Sequence, residues 1–214
     1  MKSPKKHGLK SNPKISRKIK KERHAIMTKL LSDKVVFESP IFDIRQRELT
    51  SPEQGNFSRT ILHMFKDAIA VALIDTKSNK IYVTTEYRAG IDETIDSIPA
   101  GKIDDSELPA QAVFREVREE TGIQIDNTAN DFELHKIATI NSSEGALDEK
   151  VHVFAIKADF SQIAIGEKDF DEDEFVTGEF VDAQTWTKSV IQTPHSAPAV
   201  AIAYWYQLEQ LKNK

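Results

Sequence analysis

Residues 115–122 read Arg-Glu-Val-Arg-Glu-Glu-Thr-Gly, which puts three glutamates just ahead of a glycine. With Pro109 pre-set for a first turn and Gly122 as a stop, the segment predicts a helix from about Leu108 to Thr121. The glutamates then sit at its wrong end, because a helix C-terminus carries partial negative charge. Glu116 and Glu120 are also a like-charge pair four residues apart, unfavourable by about 0.2–0.5 kcal/mol. At about 100° per residue, Glu116, Glu119 and Glu120 share one arc of about 100°. Ala110, Val113, Phe114 and Val117 share another flank, which predicts burial against a sheet. The fold must therefore cover one side of this helix and give the acids on the other side a use. A bound cation would supply that use.

The other bounds are broad. The chain has 214 residues, 39% hydrophobic and 29% charged, the profile of a globular domain of ordinary size. It lacks an apolar run long enough to span a membrane, and its basic start lacks the apolar core of a secretory signal. Cysteine is absent, which excludes disulfides, thiolate metal sites and a cysteine nucleophile and fits a cytoplasmic setting. The net charge of −5 hides an asymmetry, since residues 1–26 hold ten Lys/Arg and one acid, Glu22. The remainder carries 19 basic and 33 acidic residues, a poor general surface for nucleic acid. Residues 1–26 read as a solvated basic tail, with Met27 as an alternative start, ahead of strands in 27–65 and the main domain in 66–214.

Residues 34–48 alternate in strand fashion, with Pro40 marking an edge or a bend. Residues 59–65 and 67–75 predict two more strands, the second buried on both faces because it is almost continuously apolar. The turn-forming 75–80 and the stretch 80–88 complete a hairpin, and 133–140 with 150–159 predict another strand pair. A short strand within 175–183 leads to a helix at 183–191. A last helix starts near Ser196 with Val200, Tyr204, Leu208 and Leu211 on one stripe. Strand runs interrupted by helices, without regular βαβ alternation, predict an α+β fold.

An all-oxygen trio of glutamates suits a hard cation such as Mg²⁺ or Mn²⁺, commonly shared with substrate phosphates. The alternative is a solvated acidic face balanced by Arg115 and Arg118. The wider register favours the cation. From Gly101 the sequence runs five residues to Glu107, seven more, then Arg115-Glu116-Val117-Arg118-Glu119-Glu120-Thr121-Gly122-Ile123. This satisfies every constrained position of the Nudix box, G-x5-E-x7-R-E-U-x-E-E-x-G-U, where U is a bulky aliphatic residue. The chain thus resembles the Nudix hydrolases. The resemblance implies an α/β/α sandwich around a mixed β-sheet, here with additional N-terminal antiparallel strands. It implies cleavage of a nucleoside diphosphate linked to another moiety, with more than one Mg²⁺ or Mn²⁺ per site. Glu116, Glu120 and Glu119 would bind metal, joined by the backbone carbonyl of Ala100 and by Glu107 at the margin. Arg115 would orient the glutamates.

The context around the box resembles the ADP-ribose pyrophosphatase branch, on Glu86-Tyr87-Arg88 and on Pro99-Ala100-Gly101-Lys102-Ile103-Asp104. This implies ADP-ribose as substrate, with AMP and ribose 5-phosphate as products. By the same resemblance Arg88 would reach the diphosphate, Ser143 and Glu149 would line the substrate site, and residues 34–65 would build a homodimer. The segment Ser142-Ser143-Glu144-Gly145-Ala146-Leu147-Asp148-Glu149 departs from the branch, with Glu144 where a proline would stand. Dinucleoside polyphosphates, nucleotide sugars and noncanonical triphosphates therefore stay open as substrates. A general base is wanted near the attacking water, and the acid-rich 167–174 offers Glu172 first, then Asp171 and Glu174, with Glu149 and Glu120 as rivals. Phe42, Phe57, Phe65 or Tyr87 could stack on a base but also suit core packing, and His195 could approach a pocket. A non-catalytic nucleotide sensor is the remaining class, disfavoured because every box acid is present and the basic arm is short for a winged helix.

Overall fold

The computed structural model describes residues 28–126, 131–163, 165, 166, 168 and 176–212. Residues 1–26, Met27 and the acids Asp171, Glu172 and Glu174 lie outside the described residues. The chain divides between His63 and Met64 into two compact units.

In the first unit, β1 (Lys29–Glu38), β2 (Phe42–Ser51) and β3 (Gly55–Met64) form a sheet in that order. β1 and β2 are antiparallel. The alternating stretch 34–48 is thus split into two strands at the bend that Pro40 marks, where the ladder has no amide to use. The bend is closed by Ser39, whose N–H donates to the Phe42 carbonyl at 2.9 Å and whose Oγ accepts from the Phe42 N–H at 3.1 Å. Every residue of β1 is exposed, including Leu30, Leu31, Val36 and Phe37.

The second unit is built on β4 (Ala68–Asp75), whose two faces serve two cores. Ile69, Val71 and Leu73 pack with Ala112, Val113 and Val117 of α1 (Pro109–Thr121). Ala70, Ala72 and Ile74 pack on the other side with α2 (Ala183–Gln192) and α3 (Ala197–Lys212). Period-two alternation through a continuously apolar strand puts helices on both faces, and each fully buried Val, Leu or Ile contributes about 1.5–3 kcal/mol. β4 runs parallel to β9 (Lys150–Ala158) and pairs antiparallel with β5 (Lys80–Arg88) through Ile74–Ile81 and Asp75–Lys80. β8 (Phe132–Asn141) and β10 (Thr177–Asp182) complete the order β10-β5-β4-β9-β8. The result is an α/β/α sandwich around a mixed sheet. Two short strands were not foreseen: β6 (Glu93–Ser97) on β5, and β7 (Ala100–Lys102) on β4.

α3 corrects the expected stripe. Tyr204, Leu208 and Leu211 are exposed, whereas Ala199, Ile202, Ala203 and Tyr206 are buried. Small residues win the sheet-facing side because Ala199 and Ala203 let the helix approach closely. Tyr206 adds an anchor, its hydroxyl donating to Asn79 Oδ1 at 2.8 Å. Among the described residues, no helix is long and apolar enough to cross a membrane.

Candidate active site

The site grows from the junction of β7 and α1. Pro109 opens α1, where a missing amide is harmless, and the Leu108 N–H donates to Gln111 Oε1 at 2.9 Å. Gly122 closes the helix at φ 71°, its N–H donating to the Arg118 carbonyl at 2.9 Å. A Cβ at Gly122 would also lie 2.4 Å from the Gly166 carbonyl oxygen, so both conformation and space require glycine there. These two ends set the rotation of α1. Val113 and Val117 face the sheet, and Glu116 and Glu120 are brought down against β7, only 8% and 7% exposed.

Arg115 is the hub. Its Nε and Nη2 donate to Glu107 at 3.1 and 2.9 Å, and its Nη1 donates to Glu116 Oε1 at 2.8 Å and Glu119 Oε2 at 3.0 Å. Nη2 also donates to the Lys102 carbonyl at 2.7 Å. A guanidinium has five N–H donors, and all five are engaged. Glu107, then Glu116 and Glu119, hold its pKa above the ordinary arginine value. The same hydrogen bonds depress the Glu107 carboxyl, helped by the Asp104 N–H at 3.0 Å. Glu107 therefore stands as the partner that positions Arg115, with both its oxygens occupied. Glu119 also accepts from Arg118 at 3.3 Å.

Gly101 explains how Glu116 fits. A Cβ on Gly101 would lie 2.1 Å from Glu116 Cδ and Oε1, so the carboxylate occupies the space a side chain would fill. Beside it, Glu120 Oε1 accepts from the Ala100 N–H at 3.4 Å. The Tyr82 hydroxyl is pushed above its ordinary pKa, first by burial and then by the charge of Glu120. Among the described residues, no three acidic or histidine side chains converge as a preformed cage. Two buried carboxylates beside one loop instead suit a cation that takes its remaining ligands from water and phosphate oxygen. The donor set is all oxygen, so the residues fit Mg²⁺ or Mn²⁺.

A cavity of about 800 Å³ in the second unit takes in Ala100, Glu86, Arg88, Ser142 and His195. Arg88 pairs with Glu86 at 2.9 Å and remains 42% exposed, so its guanidinium keeps donors for a ligand. Tyr87 lines the cavity, its hydroxyl donating to Asp92 at 2.6 Å. Glu149 is ion-paired with Lys102. The Ser143 carbonyl accepts from the Ala146 and Leu147 N–H groups at 2.9 and 2.8 Å, and its neighbour Ser142 is the serine that meets the cavity. Phe65 is exposed, and Phe42 and Phe57 belong to the first unit. Lys102 was not foreseen: its ammonium ties Glu149 to β7, and its backbone carbonyl ties Arg115. A lone lysine directly after the box glycine was the available signal.

The fold and this acid-lined helix–strand junction, with its arginine hub, are the features to set beside known proteins. The profile of the NUDIX domain matches residues 64–213. Over 148 residues the chain is 32% identical to the ADP-ribose pyrophosphatase of Bacillus subtilis (strain 168), covering 69% of this chain and 75% of that protein. It is 31% identical over 155 residues to the methanol dehydrogenase activator of Bacillus methanolicus, covering 70% and 78%. A solved structure described as an ADP compounds hydrolase superposes with a TM-score of 0.66 over 87% of this chain and 95% of its own, at 18% identity, a likeness of fold. The chain belongs to the NUDIX family, as a Nudix pyrophosphohydrolase.

Proposed function

We propose that this enzyme hydrolyses ADP-ribose to AMP and ribose 5-phosphate, with Mg²⁺ or Mn²⁺ held at the β7–α1 junction. The carrying observation is the pair of buried carboxylates, Glu116 in the space left by Gly101 and Glu120 at the Ala100 amide. The identity with the Bacillus subtilis ADP-ribose pyrophosphatase supports the choice of substrate. Glu116, Glu120 and the Ala100 carbonyl would hold the cation, with Glu119 at the rim and Glu107 acting through Arg115. A divalent cation there would neutralise phosphate charge and make a water more acidic. Arg88 would bind diphosphate oxygens, a role supported by its place in the cavity lining, and Ser143 and Glu149 would act on the rest of the substrate. Glu172 remains the first choice of general base and Glu149 a rival, although Glu149 is engaged by Lys102.

The test is chromatography of products from ADP-ribose, nucleotide sugars, dinucleoside polyphosphates and triphosphates incubated with protein and Mg²⁺. AMP and ribose 5-phosphate from ADP-ribose, formed faster than any other product, are expected. Inorganic pyrophosphate released from a triphosphate as the fastest reaction would overturn the substrate assignment. No conversion of any compound would favour the sensor.

The lack of cysteine supports a cytoplasmic setting, checked by cell fractionation. We further propose that residues 34–65 join two copies. An exposed strand with apolar side chains on both faces is unstable alone, and three uncovered strands gain little by themselves. The 24.2 kDa chain should sediment at twice that mass at micromolar concentration. A monomeric species there would remove the proposal.

A further inference from the structure

Between α2 and α3 the chain runs Thr193-Pro194-His195-Ser196, α3 opens with Ala197-Pro198, and Pro194, His195, Ser196 and Pro198 line the cavity. The segment is stiff. Its prolines fix φ at two positions, and the helix ends are tied by Thr193 N–H to the Ser189 carbonyl at 3.0 Å and Val200 N–H to the Ser196 carbonyl at 3.1 Å. His195 leans on Trp186, with ring centroids 6.5 Å apart at 66°. Its Nδ1 is sealed from solvent and has no hydrogen-bond partner among the described residues, as is also true of Trp186 Nε1. Buried polar atoms without partners are uncommon enough to call for a reason. With Nδ1 sealed, Nε2 is the ring nitrogen left for a ligand.

We propose that His195 is a specificity-determining residue that reads the nucleobase of the substrate, with Nε2 hydrogen-bonded to the base edge. This rests on the reading of the chain as a nucleoside diphosphate hydrolase. The wall around His195 selects a base over a sugar. Each sugar hydroxyl wants its own partners, and beside His195 this wall offers two proline rings and a single serine hydroxyl, whose Oγ also accepts from the Ala199 N–H at 3.4 Å. A planar heterocycle instead needs apolar faces and one or two edge contacts. Pro194 and Pro198 provide the faces and the imidazole provides the contact. Arg88, Glu86 and Ser142, elsewhere in the lining, suit phosphate and sugar.

The experiment compares kcat/KM of wild type and His195→Phe on two series. One keeps diphosphoribose and changes adenine to hypoxanthine or cytosine; the other keeps ADP and changes ribose to a hexose. Thermal melting confirms folding first, and His195→Leu replaces the phenylalanine variant if that one does not fold. Loss of a hydrogen bond predicts about a tenfold fall in kcat/KM for ADP-ribose, carried by KM, with the preference among bases flattened and that among sugars unmoved. His195→Gln should restore part of the base preference. An unchanged base ratio in a folded variant, or a shift in the sugar ratio instead, overturns the proposal. Failure of the wild type on every substrate would count against the hydrolase reading alone. In that event calorimetry with AMP decides: about tenfold weaker binding by the variant supports the role of His195, and equal binding removes it.

Discussion

Glu120→Gln lowers kcat by about 10³-fold and leaves the melting temperature unchanged or slightly raised. The substitution keeps the shape of a side chain that is only 7% exposed, and the amide oxygen can still accept from the Ala100 N–H. It removes one unit of charge from the place where, in the proposed reaction, a cation and a diphosphate would meet. Charge stabilisation of that kind is worth several kcal/mol in the transition state, which at 1.36 kcal/mol per factor of ten is about 10³ in rate. The folded state loses nothing comparable, because Glu116 and Glu120 repel each other as an i,i+4 pair near a helix C-terminus. Activity and stability should therefore part company. Turnover with Mg²⁺ and a thermal melt check this on one preparation, and a fall of less than tenfold in kcat would contradict the role given to Glu120.

Gly101→Ala should lower kcat by about 10²-fold or more through Glu116, by the same loss of charge stabilisation. The added Cβ would lie 2.1 Å from the Glu116 carboxyl carbon. The obstacle is the far end of a flexible side chain, so Glu116 swings away and loses its 2.8 Å hydrogen bond from Arg115. β7 stays paired to β4 through Ile69–Gly101, since alanine is tolerated by that extended backbone. The protein should therefore fold and fail as a catalyst. A double-mutant cycle isolates the cause: in a Glu116→Ala background, Gly101→Ala should add almost nothing further. Additive losses in kcat would mean that Gly101 acts through some other neighbour.

The elements that were legible share a short-range pattern. β4 is a continuous apolar run, and α1 carries its proline, its glycine and its apolar flank within fourteen residues of sequence. β6 and β7 were missed because they are five and three residues long and exist by pairing with β5 and β4, a condition no local window contains. The α3 stripe was misread for a related reason. Helical periodicity identifies rows of side chains but not which row the sheet accepts, and large side chains on one row lost to alanines on another.

The box register, the helix under it and the oxygen-only chemistry of Glu116, Glu119 and Glu120 were set by sequence spacing, because a helix converts spacing directly into a shared face. Tertiary structure alone decided that Arg115 ties Lys102 and Glu107 to the helix, that Glu116 fills the void at Gly101, and that His195 borders the same cavity as Arg88. Those arrangements bring together residues from 8 to more than 100 positions apart. Their geometry depends on how the sheet stacks its strands, which no periodicity within one element encodes.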